Sequence, residues 1–183
     1  EARRSGPWHG EEPPFPIPDE HLADAVAAEA EPSARKFAAT GHADGAIRIH
    51  SAGGDPPVLL DGHVGAVTSL RWEGGGTLYS TSEDGTLRLW DVAAGEARSV
   101  VRATDDIQMK GILHDSSPIP AAGFVATAGA DGRVRLWVPG SEVSAGELPL
   151  HPSGVGALAA IEGATLLATG CDDGRVRLWD VHA

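Results

Sequence analysis

His63, Ser80 and Asp84 are the side-chain types of a hydrolytic triad. In such a triad an imidazole takes the proton of a hydroxyl, and a carboxylate orients the imidazole. A parallel set, His151, Thr169 and Asp173, follows later in the chain. A working triad also needs an exposed cleft and an oxyanion hole. Nothing like Gly-x-Ser-x-Gly surrounds Ser80. A set that recurs suits a structural part needed once per unit better than a catalytic centre, so no catalytic residue is assigned.

Other candidate chemistry is sparse. The eight His do not fall at zinc-ligand spacings, and a single Cys, Cys171, accompanies them, so no metal site is expected. No Gly-rich loop ends in Lys-Ser or Lys-Thr, and no cofactor is expected. Asp105-Asp106 and Asp172-Asp173 read as solvated turn acids. Arg48, Arg88, Arg135 and Arg177 recur at one register position and read as packing or rim residues of a repeated unit. Cys171 reads as a small buried filler.

The elements that must position these residues form a repeat. The stretch from Asp84 to Asp91, Asp-Gly-Thr-Leu-Arg-Leu-Trp-Asp, recurs from Asp131 to Val138 and from Asp173 to Asp180, and faintly from Asp44 to His50. The turn aspartates follow one another at intervals of 40, 47 and 42 residues. A period of this size marks an array of like units. Asp-Gly signals a tight turn, because Gly accepts positive φ and Asp bonds its local backbone. The run after each turn is β-rich, and a similar run precedes it at residues 37–41, 77–81, 124–128 and 166–170. Each unit therefore centres on a hairpin, which is marginal alone and gains stability by stacking on its siblings.

Unit two is the fullest, with strands expected at residues 66–72, 77–82, 86–90 and 96–101. Unit one has an edge strand near Val58. In unit three a first strand is expected at residues 107–113, and a long loop at 114–120 accounts for the 47-residue interval. Unit four runs from Val155 through Asp180, with no outer strand in view.

Gly62-His63 before a first strand and Trp90-Asp91 closing a third resemble the WD40-repeat family of β-propellers. The resemblance covers residues 37–183. It implies an all-β fold of about four WD40-type blades, within a larger or shared ring or closed on themselves, preceded by an irregular N-terminal segment. It also implies one hydrogen-bonded tetrad per well-formed blade: His63, Ser80, Asp84 and Trp90 in unit two, and His151, Thr169, Asp173 and Trp179 in unit four. Unit three keeps Thr127, Asp131 and Trp137, with residues 104–106 where the His belongs. Unit one keeps Thr40 and Asp44 and has His50 in place of the Trp. Partner-facing positions carried over from the family are Ala66, Thr68, Glu83, Ala130, Gly154, Gly156 and Asp172. They make a small, acidic surface without the aromatic or Arg anchors typical of hot spots.

Composition bounds the partners. The chain has 183 residues, 42% hydrophobic, with a formal net charge of −12. Without a Lys/Arg cluster, binding to nucleic acid or to an anionic membrane surface is not expected. One Cys excludes an intrachain disulfide and fits a reducing compartment. The expected location is the cytoplasm or nucleus, cytoskeletal and ciliary assemblies included. Residues 1–36 are rich in Pro and Ala and read as a linker or docking segment. Within it, residues 19–30 are expected to form a short helix capped by Asp19.

Four units are fewer than the common seven- or eight-bladed ring. The chain is a part of a longer propeller polypeptide, shares a ring with another chain or copy, or closes as four blades; the first is preferred. The expected function is a non-catalytic scaffold for protein–protein interaction within a multi-subunit assembly. The alternative is a regulatory or substrate-recruiting propeller domain of a larger enzyme or ubiquitin-ligase complex.

Overall fold

The computed structural model describes residues 37–73, 76–103 and 111–182, together with the backbone of Val26–Glu29. Among the described residues, fifteen strands make up four antiparallel sheets. Sheet one comprises β1 (Val26–Glu29), β2 (Phe37–Gly41), β3 (Ile47–Ser51) and β4 (Val58–Leu60). Sheet two comprises β5 (Val67–Glu73), β6 (Thr77–Ser82), β7 (Thr86–Asp91) and β8 (Glu96–Arg102). In sheet three are β9 (Leu113–Ile119), β10 (Phe124–Gly129), β11 (Val134–Trp137) and β12 (Ser144–Glu147). Sheet four has three strands, β13 (Val155–Ala160), β14 (Leu166–Cys171) and β15 (Val176–Asp180). Every sheet pairs its strands in chain order, as successive hairpins do.

Two sequence expectations need correction. Residues 26–29, expected inside a helix, form β1 and pair with β2 from Val26↔Gly41 to Glu29↔Ala38. Their apolar pattern was too thin to hold a helix, and sheet one needed an inner strand. The sheet thus draws on a segment expected to be linker; the rest of residues 1–36 lies outside the described residues. In unit three, residues 107–110 of the expected first strand lie outside the described residues, and the inner strand begins at Leu113. It is β9, where a loop was expected, followed by a single 3-10 turn at Pro120–Ala122. Pro118 is accommodated because β9 is a sheet-edge strand. Asp115, Ser116 and Ser117 are buried in it.

Each of sheets two to four has a front, which carries the third-strand Trp, and a back. Side chains alternate between them with the period-2 geometry of strands. The back of sheet one (Ala39, Ile47, Ile49, Leu60) packs on Leu70, Leu78 and Trp90 at the front of sheet two. The back of sheet two (Tyr79, Leu87, Val101) meets Leu113, Val125 and Trp137 of sheet three. Ala126, Ala128, Val134 and Leu136, on the back of sheet three, meet Leu158, Leu167 and Trp179 of sheet four. The core is thus three slabs between sheets. Each fully buried Leu in a slab, such as Leu70 or Leu167, contributes about 1.5–3 kcal/mol.

The inner strands touch in series, β1 on β5, β5 on β9 and β9 on β13. No comparable contact joins β13 back to β1 among the described residues. Among the described residues the four sheets make an open arc.

Candidate functional site

The Asp-Gly turns fix the geometry of each candidate set. The Oδ1 atoms of Asp44, Asp84, Asp131 and Asp173 each accept the backbone N–H two residues on, at 2.9–3.0 Å. The glycine that follows is required twice over in unit three. Gly132 has φ 77°, and a Cβ there would lie 2.8 Å from the carbonyl oxygens of His151 and Ser153. The turn of one unit is therefore pressed against the His-bearing loop of the next.

In unit two the four side chains form one chain of hydrogen bonds. Trp90 Nε1–H donates to Ser80 Oγ at 2.8 Å. Ser80 Oγ lies 2.7 Å from His63 Nε2, and His63 Nδ1 lies 2.9 Å from Asp84 Oδ2. With Nδ1 protonated, imidazole donates to Asp84 and accepts the Ser80 hydroxyl proton. Thr86 Oγ1 donates to Asp84 Oδ1 at 2.6 Å. Burial opposes the charge on Asp84, but the hydrogen bonds from His63 and Thr86 outweigh it and hold the carboxyl well below the usual range.

These distances are those of a Ser-His-Asp triad, yet the surroundings are not. Ser80 and the His63 side chain are fully buried, and the Ser80 oxygen already accepts an indole N–H. A nucleophile must reach a substrate carbonyl. Here the hydroxyl faces the slab between sheets one and two, filled by Leu70, Leu78 and Ile49. What the arrangement does is lock the turn, the His loop and two strands of one sheet together.

The other units are less completely joined. In unit four, His151 Nε2 lies 3.0 Å from Thr169 Oγ1, which also accepts Trp179 Nε1–H at 3.0 Å. Asp173, however, binds Arg177 Nη2 at 2.7 Å, and His151 Nδ1 is buried with no hydrogen-bond partner. Burial and the nearby Arg177 push the His151 pKa down, and hydrogen bonding from Arg177 pulls Asp173 down. In unit three Trp137 donates to Thr127 at 3.0 Å, while Asp131 pairs with Arg135 at 2.8 Å. The expected absence of a His at residues 104–106 lies outside the described residues. In unit one Thr40 Oγ1 meets His50 Nε2 at 3.2 Å and His42 Nε2 at 3.0 Å. His42, at the end of β2, was missed from sequence, because the repeat pattern directs attention to a His before the first strand.

The third-strand arginines thus differ in role. Arg135 and Arg177 hold turn aspartates that no His engages, whereas Arg88 lies over the Trp90 ring, 5.8 Å from its centroid. Cys171 is half-buried and accepts Arg177 Nη1–H at 3.4 Å.

Asp115 is a second centre that sequence reasoning missed. On β9 it accepts Ser69 Oγ–H at 2.7 Å and Arg71 Nη2–H at 2.9 Å, both from β5 of sheet two. It also accepts the Leu158 N–H of sheet four at 2.9 Å and the Ser116 N–H at 2.8 Å. One buried carboxylate therefore ties three sheets together. Aligning β9 on the repeat would have exposed it, but the polar run disguised the strand as a loop.

The expected partner-facing positions cluster where the inner strands begin and the turns end. Glu83, Gly156 and Asp172 are exposed; Ala66, Ala130 and Gly154 are half-buried. Ala66 and Gly154 accept the backbone N–H groups of Glu83 and Asp172. The Thr68 hydroxyl is engaged between sheets, donating to the Leu113 carbonyl at 2.7 Å. Among the described residues no group of three His, Cys, Asp or Glu is placed to hold a metal ion, and no helix is long and apolar enough to cross a membrane.

The profile of the WD40 family, described as "WD domain, G-beta repeat", matches residues 54–91 and 143–180. This chain carries two WD40 repeats. The matched segments are units two and four, the two that carry a His, a hydroxyl, an Asp and a Trp at the tetrad positions. The WD40 chain is 32% identical over 110 residues to "Ribosome biogenesis protein WDR12 homolog" of Chlamydomonas reinhardtii, covering 60% of this chain and 22% of that protein. It is 38% identical over 66 residues to "Protein Notchless" of Drosophila melanogaster, covering 36% of this chain and 13% of that protein. With "Nuclear distribution protein nudF" of Emericella nidulans it shares 32% identity over 90 residues, covering 48% and 18%. The chain therefore spans less than a quarter of the length of these curated relatives. Among solved structures it resembles the computationally designed Ika4 protein at TM-score 0.70 and 21% identity, over 84% of this chain and 89% of that one. It resembles the designed Ika8 protein at the same TM-score and 22% identity, over 86% of this chain but 46% of that one.

Proposed function

We propose that this WD40 chain is a non-catalytic scaffold that binds other protein subunits within a multi-subunit assembly. The observation that carries the reading is the fate of the Ser-His-Asp set. Ser80, His63 and Asp84 are consumed in buried hydrogen bonds that rigidify a sheet. Its relatives are WD-repeat proteins, consistent with that role. The tetrad residues serve as structural buckles, and Glu83 and Asp172 belong to an acidic partner-facing rim. Residues 1–36 serve as a linker or docking segment beside the blades of 37–183. With a net charge of −12 the partners are proteins, not nucleic acid or an anionic membrane surface. The place of action is the cytoplasm or nucleus, which suits a chain with a single Cys.

The test is affinity purification of the tagged chain followed by native mass measurement. The expected result is a stoichiometric protein complex that Glu83→Lys with Asp172→Lys weakens at unchanged unfolding midpoint. A complex unaffected by that pair removes the rim from the account, and a chain recovered alone contradicts the scaffold reading.

A further inference from the structure

Sheets one and two touch through their inner strands, β1 and β2 on β5, and β4 makes no comparable contact with β7 or β8 among the described residues. The two sheets therefore splay toward their outer strands and leave a groove between them. Register assigns its walls. On the back of sheet one, Val58 lies opposite Ile49, on the face of buried Leu60, and is 48% exposed. On the front of sheet two, the face of Trp90, Val100 lies opposite Arg88 and Arg102 lies opposite Thr86. Val100 is 40% exposed, and Arg102 is exposed as well. At the floor the Arg88 guanidinium lies over the Trp90 ring and against Gly62, where a Cβ would come 2.2 Å from Nη1.

Arg88 is a cation without an acceptor. Its Nε is buried with no hydrogen-bond partner, and it makes no ion pair among the described residues. The same strand position in sheet three shows what is missing. Arg135 lies opposite Glu147, whose Oε1 is 3.1 Å from its Nε, and Asp131 Oδ2 takes its Nη2 at 2.8 Å. In sheet two Asp84 is taken by His63 and Thr86, and Val100 holds the position of Glu147. Asp61, beside Gly62, is exposed and does not pair with Arg88. Arg98 is held by Asp91, whereas Arg102 makes no ion pair among the described residues. A buried guanidinium nitrogen left unpaired is costly, and a carboxylate relieves it.

We infer that this groove binds an extended acidic segment of a partner protein, with one carboxylate on Arg88, a second on Arg102, and flanking apolar side chains against Val58 and Val100. Arg88 and Arg102 are diagonal neighbours on one face, about 7–8 Å apart. Same-face side chains of an extended segment repeat at about 6.5–7 Å, so two acids two residues apart fit the pair. Distant acids of the chain, whose net charge is −12, are screened beyond about 8 Å at physiological salt, so the local arginines decide. The inference goes beyond the scaffold reading, whose rim of Glu83 and Asp172 is a separate, acidic surface.

The test is a heteronuclear NMR titration of the full chain with the synthetic peptide acetyl-Val-Ser-Glu-Ser-Glu-Ser-Val-amide at physiological salt. The Nε–H resonances of Arg88 and Arg102 are expected to shift and saturate. The same peptide with Gln in place of both Glu is expected to bind at least about tenfold more weakly, because its charge-assisted hydrogen bonds are lost. Arg88→Met is expected to weaken the acidic peptide by a similar factor, with the Trp90 indole resonance reporting an intact blade. Val100→Glu places a carboxylate where sheet three has Glu147; it is expected to engage Arg88 and to block the peptide. This second variant keeps the proposal falsifiable if Arg88→Met unfolds the chain. No saturable shift at either arginine, equal binding of the Gln peptide, or undiminished peptide binding by the Val100→Glu chain overturns the proposal. Saturation by inorganic phosphate at a lower concentration than by the peptide reassigns the groove to a phosphorylated ligand and overturns it too. None of these readouts depends on partner capture, so failure here is distinct from failure of the scaffold reading.

Discussion

Replacing Asp115 with Ala removes the carboxylate on which sheets two, three and four converge. The substitution strands the buried Ser69 hydroxyl and the buried Leu158 N–H, each worth roughly 1–3 kcal/mol when left unpaired. Arg71 contributes less, because its side chain is about one-third exposed and water replaces its partner. The expected loss is about 3–5 kcal/mol, the usual cost of removing one member of a buried polar network. With a slope near 2 kcal/mol per molar urea, the midpoint falls by roughly 1.5–2.5 M. Equilibrium urea unfolding followed by tryptophan fluorescence measures this. Asp115→Asn keeps the shape and one acceptor oxygen and is expected to lose about half as much. A double-mutant cycle with Ser69→Ala is expected to return a coupling of about 1–2 kcal/mol. A loss below about 1 kcal/mol for Asp115→Ala, or a coupling near zero, refutes the claim that this carboxylate ties the sheets together.

Four further outcomes follow from the buckles. Ser80→Ala leaves the His63 and Trp90 nitrogens without their shared partner and is expected to cost about 1–3 kcal/mol, read from the urea midpoint. Arg177→Met frees Asp173 to engage the unpartnered Nδ1 of His151, so the His151 pKa is expected to rise in an NMR titration; an unchanged value shows that Arg177 does not hold Asp173 away. The folded His151 pKa is lowered, so the unfolded chain takes up its proton first, and stability is lost as pH falls below about 6.5. Asp84 is lowered as well; its contribution is present above about pH 4 and lost on further acidification, a loss that Asp84→Asn abolishes in pH-dependent thermal unfolding.

Much of the architecture was legible in the chain because it is written four times. The Asp-Gly turns and flanking apolar runs located β6, β7, β10 and β14 to within a residue or so, since turn chemistry and alternation agree there. Legibility failed where tertiary context overrode local pattern. The run His114-Asp115-Ser116-Ser117-Pro118 has the composition of a loop and is a buried strand because neighbouring sheets supply its hydrogen bonds. At the tetrads the residue types were readable but their bonding was not. Asp84 pairs with His63 whereas Asp173 pairs with Arg177, although both units carry the same His, Asp and third-strand Arg. The units differ just after the Asp-Gly pair, where Thr86 donates to Asp84 and lies beside His63 while unit four has Arg175. The exposure of Val176 and Leu178 was likewise invisible, because they read in sequence just like Val134 and Leu136, which are buried.

The central claim is that the Ser80, His63 and Asp84 set is a buried structural lock and not a nucleophile. Its most direct test is intact-mass measurement of the native chain after incubation with a fluorophosphonate, which reacts with activated serine hydroxyls. The account predicts no adduct on Ser80 in the folded chain. A stoichiometric adduct at Ser80, absent in Ser80→Ala and lost on His63→Ala with the fold intact, would contradict it.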